Sequence, residues 1–256
     1  MKVIYILGAG RSGSTLLDII LGNNGGVLSC GELRKFEELS GRPRGVDAKS
    51  DSAAFWQKIW EQYQIEFGDT ELLPCGHRHR DFFPTLLGMV GKSSRGQYRK
   101  RAARLYELVC EASGKGVLVD SSKYPTRALL LKELPEIEMS YILLQRGYSS
   151  VVRSFLKKGL EQPPKGRVSA SVYFWAMYVM SNMAVLVLSL RHKVVRVSYE
   201  ELLSDPVATL EKLEVKLNLD LREAKNKAQM QQTFEVGNLL EGNRIRLKES
   251  FFLERS

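Results

Sequence analysis

The sequence predicts an α/β protein with a central, mostly parallel sheet flanked by helices. Short runs of apolar and β-branched residues recur along the chain, and polar turns and apolar patterns of helical period follow them. At 256 residues, with 44% hydrophobic and 26% charged residues, the chain has the length and composition of a globular protein with a substantial core. We therefore expect one domain, residues 1–256, although two small domains would also fit this length.

The elements follow from these patterns in chain order. Strands are predicted at residues 2–7, 27–29, 116–119, 139–144 and 194–197, and helices at residues 16–21, 55–63, 98–113, 127–133, 169–190 and 207–217. In the longest helix, the apolar stretch 177–190 is interrupted by Ser181 and Asn182 and is shorter than a bilayer span. We interpret this helix as mostly core, with Trp175 part of the packing. Residues 40–115 have the least regular pattern.

The turn after the first strand has the composition of an anion site. A buried strand, a glycine-rich loop and a helix direct backbone N–H groups toward a bound anion. Gly8, Gly10 and Gly13 match the dinucleotide pattern G-x-G-x-x-G, and Glu32 lies nineteen residues after Gly13, where such folds place a ribose-binding acid. The loop also nearly matches the nucleotide triphosphate motif G-x-x-x-x-G-K-[ST], but Ser14 replaces the lysine.

The side chains of the loop favour a phosphate site over a dinucleotide turn. Arg11 supplies a planar cationic donor, and the neighbouring serines and threonine supply hydroxyl groups at the start of the helix. Residues 11–17, RSGSTLL, resemble the 5′-phosphosulfate-binding loop of sulfotransferases that use 3′-phosphoadenosine 5′-phosphosulfate (PAPS). The resemblance implies a three-layer P-loop sulfotransferase fold. It assigns to donor binding Arg11, Ser12, Gly13, Ser14 and Thr15.

A second phosphate motif follows the strand at residues 139–144. Arg146 stands at the end of this strand and Ser154 eight residues later, about two helical turns on, so the two side chains can converge on one phosphate. Taken alone, they could equally be a helix cap and a surface serine. Their spacing resembles the 3′-phosphate-binding motif of sulfotransferases, in which Lys158 matches a further basic contact to PAPS.

Polar groups at two other strand ends are candidates for the chemistry. Glu32 and Lys123 each follow a predicted strand, although by themselves they could be a solvated acid and a surface charge. Residues 27–32 resemble the segment of tyrosylprotein sulfotransferases whose glutamate is the general base. Residues 120–125 resemble the Lys-x-Pro stretch of the same enzymes and the Asp-Ser-Ser-Lys stretch of many bacterial sulfotransferases. The resemblance makes Glu32 the base and makes Lys123, together with Arg11, a catalytic cation.

Two segments near the C-terminus extend the resemblance. Residues 198–206 resemble the Tyr-Glu-x-Leu…Asp-Pro element of sulfotransferases, in which the tyrosine, here Tyr199, lies near the nucleotide. Residues 242–246 resemble a Gly-Asn-x-x-Arg element that closes over the donor in many bacterial members, which implicates Asn243 and Arg246. The second segment also fits an ordinary turn followed by a basic edge strand.

Charge and cysteine content set the expected partners. A net charge of +9 and a pI near 9.4 suit anionic ligands, although a merely basic surface would give the same excess. Three scattered cysteines and the lack of a fitting signal sequence lead us to expect a cytoplasmic protein. Because His77 and His79 lack a spaced second pair of ligands, we expect no metal. We also expect no nucleic acid or membrane partner, and the oligomeric state is left open.

The motifs together predict transfer of a sulfuryl group from PAPS to a hydroxyl of a carbohydrate, a small molecule or a tyrosine. Residues 40–97, where the resemblance has a gap, are expected to shape the acceptor pocket. An NAD(P)-linked oxidoreductase would explain the glycine pattern but not Arg146, Ser154 and Lys123. A P-loop kinase lacks its lysine and has Asp120 as the one candidate magnesium ligand. A noncatalytic nucleotide-binding module would share the phosphate motifs.

Overall fold

The computed structural model describes residues 1–68, 79–157 and 166–253. The strands are β1 Lys2–Leu7, β2 Val27–Ser29, β3 Val117–Lys123, β4 Glu138–Gln145, β5 Lys193–Ser198, β6 Phe234–Glu235 and β7 Ser250–Phe251. The α-helices are α1 Ser14–Gly22, α2 Asp51–Phe67, α3 Phe82–Leu86, α4 Lys92–Ser113, α5 Pro125–Leu131, α6 Tyr148–Phe155, α7 Arg167–Leu188, α8 Tyr199–Ser204, α9 Pro206–Leu217 and α10 Arg222–Gln229. Every predicted strand and helix is present, with ends that differ by at most six residues.

A five-stranded sheet of order β2-β3-β1-β4-β5 forms the centre, and each described pair of its strands is parallel. Parallel pairing places the carboxyl ends of all five strands on one edge, so the polar residues that follow them meet there. In this order, β3 lies between β1 and β2. A dinucleotide-binding fold pairs the first strand directly with the second. The strand order therefore argues against the oxidoreductase interpretation of the glycine-rich turn.

The alternating side chains of β1 divide the apolar core into two parts. Val3, Tyr5 and Leu7 pack with residues of α2, α4, α5 and α7 on one face of the sheet. Ile4 and Ile6 pack with residues of α1, α9 and α10 on the other face. Because helices cover both faces, the protein has three layers, as the resemblance implied.

β3 is longer than the sequence predicted. The sequence predicts that this strand ends at Val119, but β3 continues to Lys123, and Ser121 and Ser122 are fully buried within it. Burying a hydroxyl group is costly unless it is hydrogen-bonded. Ser121 Oγ lies 2.6 Å from a carboxylate oxygen of Asp18, and Ser122 Oγ bonds the carboxylate of Asp120. These bonds allow a polar sequence to continue as a central strand.

Asp18 joins α1 to the carboxyl edge of the sheet. Its side chain is fully buried and accepts hydrogen bonds from Ser29 Oγ at 2.7 Å, Ser121 Oγ at 2.6 Å and the backbone N–H of Gly31 at 2.9 Å. Burial raises the pKa of Asp18 to about 7, although the hydrogen bonds oppose this shift. The contacts hold the chain next to Glu32 against the sheet.

Helix α7 is not the largely buried core helix that the sequence predicted. Phe174 and Met177 pack in the core, but Trp175 is 53% exposed and several other apolar side chains of α7 also face solvent. Apolar residues occur all around this helix, so the pattern could not show which of them the rest of the fold covers. Among the described helices, α7 has the length and apolar composition to cross a membrane, and 39% of its apolar window is buried.

We predict that Asp18 makes folding less favourable as the pH rises. A carboxyl whose pKa rises from 3.8 to about 7 on folding contributes stability that is complete below its ordinary pKa and is lost as the pH rises through about 7. The loss would reach about 4 kcal/mol. Because the loss accumulates between the two pKa values, urea unfolding of the wild type and Asp18→Asn from about pH 4 to about pH 8 measures it. The free energy of unfolding of Asp18→Asn should change less with pH than that of the wild type. An equal change in both proteins would contradict the prediction.

Candidate active site

The loop of residues 8–13 joins β1 to α1 at the carboxyl edge of the sheet. Gly13 is the N-cap of α1 with φ of 93°, and a Cβ atom there would lie 2.3 Å from the ring of Tyr199. A Cβ atom on Gly8 would lie 2.2 Å from the carbonyl oxygen of Leu144 in β4. Glycine is therefore required where this loop turns against its neighbours. The loop leads into the N-terminus of α1, which is an arrangement suited to an anion.

The fold brings together the two phosphate motifs of the sequence. Arg11 Nε donates to Ser154 Oγ at 3.1 Å, and Arg146 Nη1 donates to the carbonyl oxygen of Arg11 at 3.0 Å. The Arg146 guanidinium lies 4.0 Å from the centre of the Tyr199 ring, which is a cation–π contact. Four predicted donor-binding residues therefore form one cluster at the loop.

Positive charge accumulates at this cluster. Burial lowers the pKa of Arg11, and the charges of Arg146 and Arg244 lower it further. Among the described residues, neither Arg11 nor Arg146 pairs with a carboxylate. A bound anion would relieve the repulsion between these guanidinium groups. Arg244 was not among the predicted residues, although it lies within the segment 242–246 that carried the C-terminal resemblance.

Several buried polar atoms near the loop have no partner within the described chain. They include Ser12 Oγ and Arg146 Nε, and both residues line a small cavity of about 20 Å³ between the loop, the end of β4 and α7. Ser181 of α7 lines the same cavity, and its hydroxyl is also buried without a partner. Because leaving buried donors unsatisfied is costly, each of these groups is suited to bond a ligand oxygen or a water molecule.

The C-terminal segment lies across the start of α1. The backbone N–H of Asn243 donates to Thr15 Oγ1 at 3.0 Å, and Gly242 packs so closely that a Cβ atom would lie 2.9 Å from the same side chain. Arg246 instead pairs with Glu241, with its Nη2 3.1 Å from Oε1. The structure thus places Asn243 at the loop, whereas Arg246 stabilises the segment that carries it.

Glu32 and Lys123 form an ion pair where β2 and β3 end. Lys123 Nζ bonds Glu32 Oε1, and Arg34 Nη2 lies 3.3 Å from Glu32 Oε2. Burial raises the pKa of Glu32, but the charges of Lys123 and Arg34 outweigh burial and leave the pKa below its usual range. Glu32 is therefore ionised at neutral pH. The structure brings the predicted base and the predicted cation into contact.

The backbone of Lys123 connects this ion pair to the loop. Lys123 has a φ of 73°, which is unfavourable for a residue with a side chain and is found mainly where surrounding contacts enforce it. Its carbonyl oxygen accepts a hydrogen bond from the N–H of Gly8 at 3.3 Å, and the pairing of β1 with β3 shifts register between Tyr5 and Leu7. The loop of residues 8–13 and the Glu32–Lys123 ion pair are therefore connected by a backbone hydrogen bond.

Aromatic residues that the sequence analysis did not assign to the site lie on its other side. The N–H of Gly10 donates to Tyr173 Oη at 2.9 Å. The Tyr173 ring packs edge-on against His79, which stacks on Tyr124 with 4.7 Å between ring centres. Arg34 lies 4.3 Å from the centre of the Tyr124 ring. These residues come from four separate segments without a common motif, so no sequence signal links them.

The remaining predicted positions are only partly described. Lys158 lies outside the described residues, as do residues 75–78 of the histidine-containing segment. His79 is described, and burial followed by the charge of Arg34 lowers its pKa, so the ring is neutral at pH 7. Over residues 1–68, 79–157 and 166–253, no three histidine, cysteine or acidic side chains are grouped as metal ligands.

The architecture matches that of solved sulfotransferase domains. The sulfotransferase domain from the curacin biosynthetic pathway is 20% identical, with a TM-score of 0.50 over 86% of this chain and 74% of that one. The sulfotransferase domain from the Synechococcus PCC 7002 olefin synthase is 22% identical, with a TM-score of 0.51 over 88% of this chain and 76% of that one. At these identities, the likeness shows that the protein has the three-layer sulfotransferase fold.

A sequence profile assigns the chain more specifically. The profile of the sulfotransferase family matches residues 3–223, so this chain belongs to the sulfotransferase family. No curated protein sequence matches it significantly. Membership in the family supports sulfotransferase activity, whereas neither the family nor the fold supports an oxidoreductase.

We predict that Gly13→Ala destabilises the protein by about 1–3 kcal/mol, because the new Cβ would clash with the Tyr199 ring and because the backbone would stay at positive φ. Gly26→Ala is the matched control, since a Cβ atom there would meet no other atom within 4 Å and its φ is not positive. Urea unfolding compares the two variants with the wild type. Equal losses in both variants would show that the contact between Gly13 and Tyr199 does not matter.

Proposed function

We propose that this protein transfers a sulfuryl group from PAPS to a hydroxyl group of an acceptor, with Glu32 as general base. One observation carries the proposal: the loop that gathers Arg11 and Arg146 is bonded through Gly8 to Lys123, and Lys123 pairs with Glu32. Two arginines, Arg11 and Arg146, that pair with no carboxylate of the described residues therefore lie close to the ionised carboxylate of Glu32. This combination suits a reaction that joins an anionic donor to a neutral hydroxyl.

The proposed donor site is built from the loop and from groups that have no hydrogen-bond partner among the described residues. The loop N–H groups with Arg11, Ser12, Ser14 and Thr15 hold the 5′-phosphosulfate, and Arg146 with Ser154 holds the 3′-phosphate. The partnerless Ser12 Oγ and Arg146 Nε support this assignment, because each has a donor free for a ligand oxygen. Contacts from Tyr199 and Asn243 complete the site, and family resemblance alone adds Lys158 and Arg246. When bound, PAPS supplies an activated sulfuryl group.

Glu32 removes the proton from the acceptor hydroxyl. As that O–H bond breaks, the acceptor oxygen bonds to sulfur and the bond from sulfur to the phosphate oxygen of the donor breaks, so a sulfate ester and 3′,5′-adenosine bisphosphate are formed. Arg11 and Lys123 stabilise the negative charge on the transferred group and on the leaving phosphate. The protein contributes mainly position and charge, as in phosphoryl transfer.

The Glu32–Lys123 pair couples the donor site to the base. Lys123 lowers the pKa of Glu32, which makes the carboxylate a weaker base while the two are paired. A donor anion competes with Glu32 for Lys123 Nζ. Once Lys123 turns toward the donor, the pKa of Glu32 rises, and the base becomes stronger when the reaction can proceed.

The acceptor lies on the aromatic side of the site. The rings of Tyr124, Tyr173 and His79 form an apolar wall next to Arg34 and Glu32. Such rings pack well against a flat sugar or phenol. His79 Nδ1 is buried without a described partner and can bond a second hydroxyl of the acceptor. A cyclic acceptor that carries hydroxyl groups therefore fits this wall.

We predict that Arg146→Ala weakens the binding of 3′,5′-adenosine bisphosphate about tenfold to a hundredfold, because charge-assisted hydrogen bonds to a phosphate are lost. Isothermal titration calorimetry measures the affinity. Arg153→Ala removes an exposed arginine of α6 and should leave it unchanged. NADH and ATP are titrated in parallel. Equal affinities of the two variants, or a preference for NADH, would exclude this donor site.

We predict that Glu32→Gln lowers turnover about a hundredfold to ten-thousandfold, because the base is lost while its shape is kept. Its affinity for 3′,5′-adenosine bisphosphate should be kept or should rise, because the carboxylate does not hold the nucleotide and no longer competes with it for Lys123. Glu38→Gln is the control, because this more exposed acid pairs only with Lys35 among the described residues. Transfer of label from PAPS to sugars, phenols and tyrosine peptides measures turnover. Full activity of Glu32→Gln would rule out its role as base.

A further inference from the structure

Helix α7 presents a row of apolar side chains to solvent, which we name the α7 stripe: Val168, Val172, Trp175, Val179 and Leu186. Their spacing of three, four or seven residues places them on one side of the helix. Val172 is 65% exposed and Leu186 is 66% exposed. The helix has 22 residues and is therefore about 33 Å long. An exposed apolar patch of this extent marks an interaction surface.

Arginines lie at both ends of helix α7 and beside it. Arg167 begins the helix and Arg191 follows its end, and both are exposed. Beside the middle of the helix, Arg196 Nη1 lies 2.6 Å from Asn182 Oδ1. Between residues 139 and 199, the sequence contains nine lysines and arginines but one acid, Glu161, which lies outside the described residues. The rest of the chain is almost balanced, so this quarter, which also contains Arg146 and Lys158 of the proposed donor site, carries nearly all of the net charge of +9.

We propose that the α7 stripe binds the surface of an anionic lipid bilayer. An apolar helix face bordered by arginines can enter the boundary between headgroups and acyl chains while the arginines contact lipid phosphates. Trp175 stacks on Tyr148 with 5.9 Å between ring centres, and both residue types are enriched at membrane surfaces. From the sequence we expected no membrane partner, because the apolar stretch 177–190 is shorter than a bilayer span and was therefore interpreted as core. The exposed stripe removes that reason.

The structure favours a helix that lies on the bilayer over one that spans it. The opposite face of α7, including Phe174, Met177 and Leu188, is buried in the core of the domain. A spanning helix would have to leave that core. The stripe and its arginines, in contrast, are already at the surface.

Charge also favours lipid over a second copy of the chain. In an antiparallel two-fold pair of α7 helices, Arg167 of one copy would approach Arg191 of the other, and in a parallel pair each arginine would approach its own equivalent. Both arrangements bring like charges together at the ends of the interface, which weakens association. An anionic bilayer attracts the same arginines.

Vesicle sedimentation tests the proposal independently of sulfotransfer. The full chain should bind vesicles that mix phosphatidylglycerol with phosphatidylcholine, and binding should fall at least about tenfold with pure phosphatidylcholine or in high salt. Val172→Glu/Leu186→Glu should also weaken binding about tenfold or more. Val215→Glu/Met230→Glu is the matched control, because it adds the same charge at exposed apolar sites of the α9–α10 layer. Urea unfolding checks that both double variants are folded.

Tryptophan fluorescence reports whether the stripe itself enters the lipid. Trp56 is buried and Trp60 is partly buried, whereas Trp175 is 53% exposed. Emission should therefore shift to shorter wavelength when anionic vesicles are added to the wild type. Trp175→Phe should abolish the shift while it retains most of the binding, because phenylalanine keeps the face apolar.

Three results would overturn the proposal. The first is a wild type that does not bind anionic vesicles. The second is equal vesicle binding by the two glutamate double variants, because the bound surface would then lie elsewhere. The third is a dimer in analytical ultracentrifugation that Val172→Glu/Leu186→Glu alone converts to monomer, which would assign the stripe to a second copy of the chain.

Discussion

Repulsion between Arg11, Arg146 and Arg244 is the constraint around which the carboxyl edge of the sheet is organised. Burial and these like charges lower the pKa of Arg11, so the cluster is costly without an anion. The fold holds it in place through the parallel pairing of β1 with β4, and the Tyr199 ring lies against the Arg146 guanidinium. The free energy needed to gather these cations is thus available to bind a polyanion.

The second half of the site depends on buried carboxylates deeper in the sheet. Asp18 holds Gly31, the neighbour of Glu32, and it also bonds Ser121 in β3. These hydrogen bonds allow β3 to extend to Lys123, whose carbonyl oxygen accepts a hydrogen bond from Gly8 in the loop of residues 8–13. The position of Glu32 therefore rests on the buried polar groups of Asp18 and Ser121. In the mechanism that we propose, the same arrangement lets an anion at the loop alter the basicity of Glu32.

Helix α7 links the candidate active site to the outer surface of the protein. On its inner side, Tyr173 accepts a hydrogen bond from Gly10, and Ser181 lines the cavity beside the loop. On its outer side lies the α7 stripe. Because one rigid helix carries both faces, a surface bound to the stripe would orient the reaction site relative to it. An uncharged, apolar helix exterior is unusual for a solvated face, and this is the surface that we propose to be covered by a bilayer.

Strand periodicity, glycine spacing and clustered hydrogen-bond donors are local signals, and they were enough to predict the five strands of the central sheet, the glycine-rich loop and the two candidate phosphate motifs. They also pointed to Glu32 and Lys123 near the ends of strands. In contrast, the place of β3 between β1 and β2, the approach of Arg244 and Tyr173 to the loop, and the pairing of Arg246 with Glu241 became known from the tertiary structure. It likewise decided which face of α7 is exposed. These features depend on contacts between segments far apart in the chain, which no local pattern encodes.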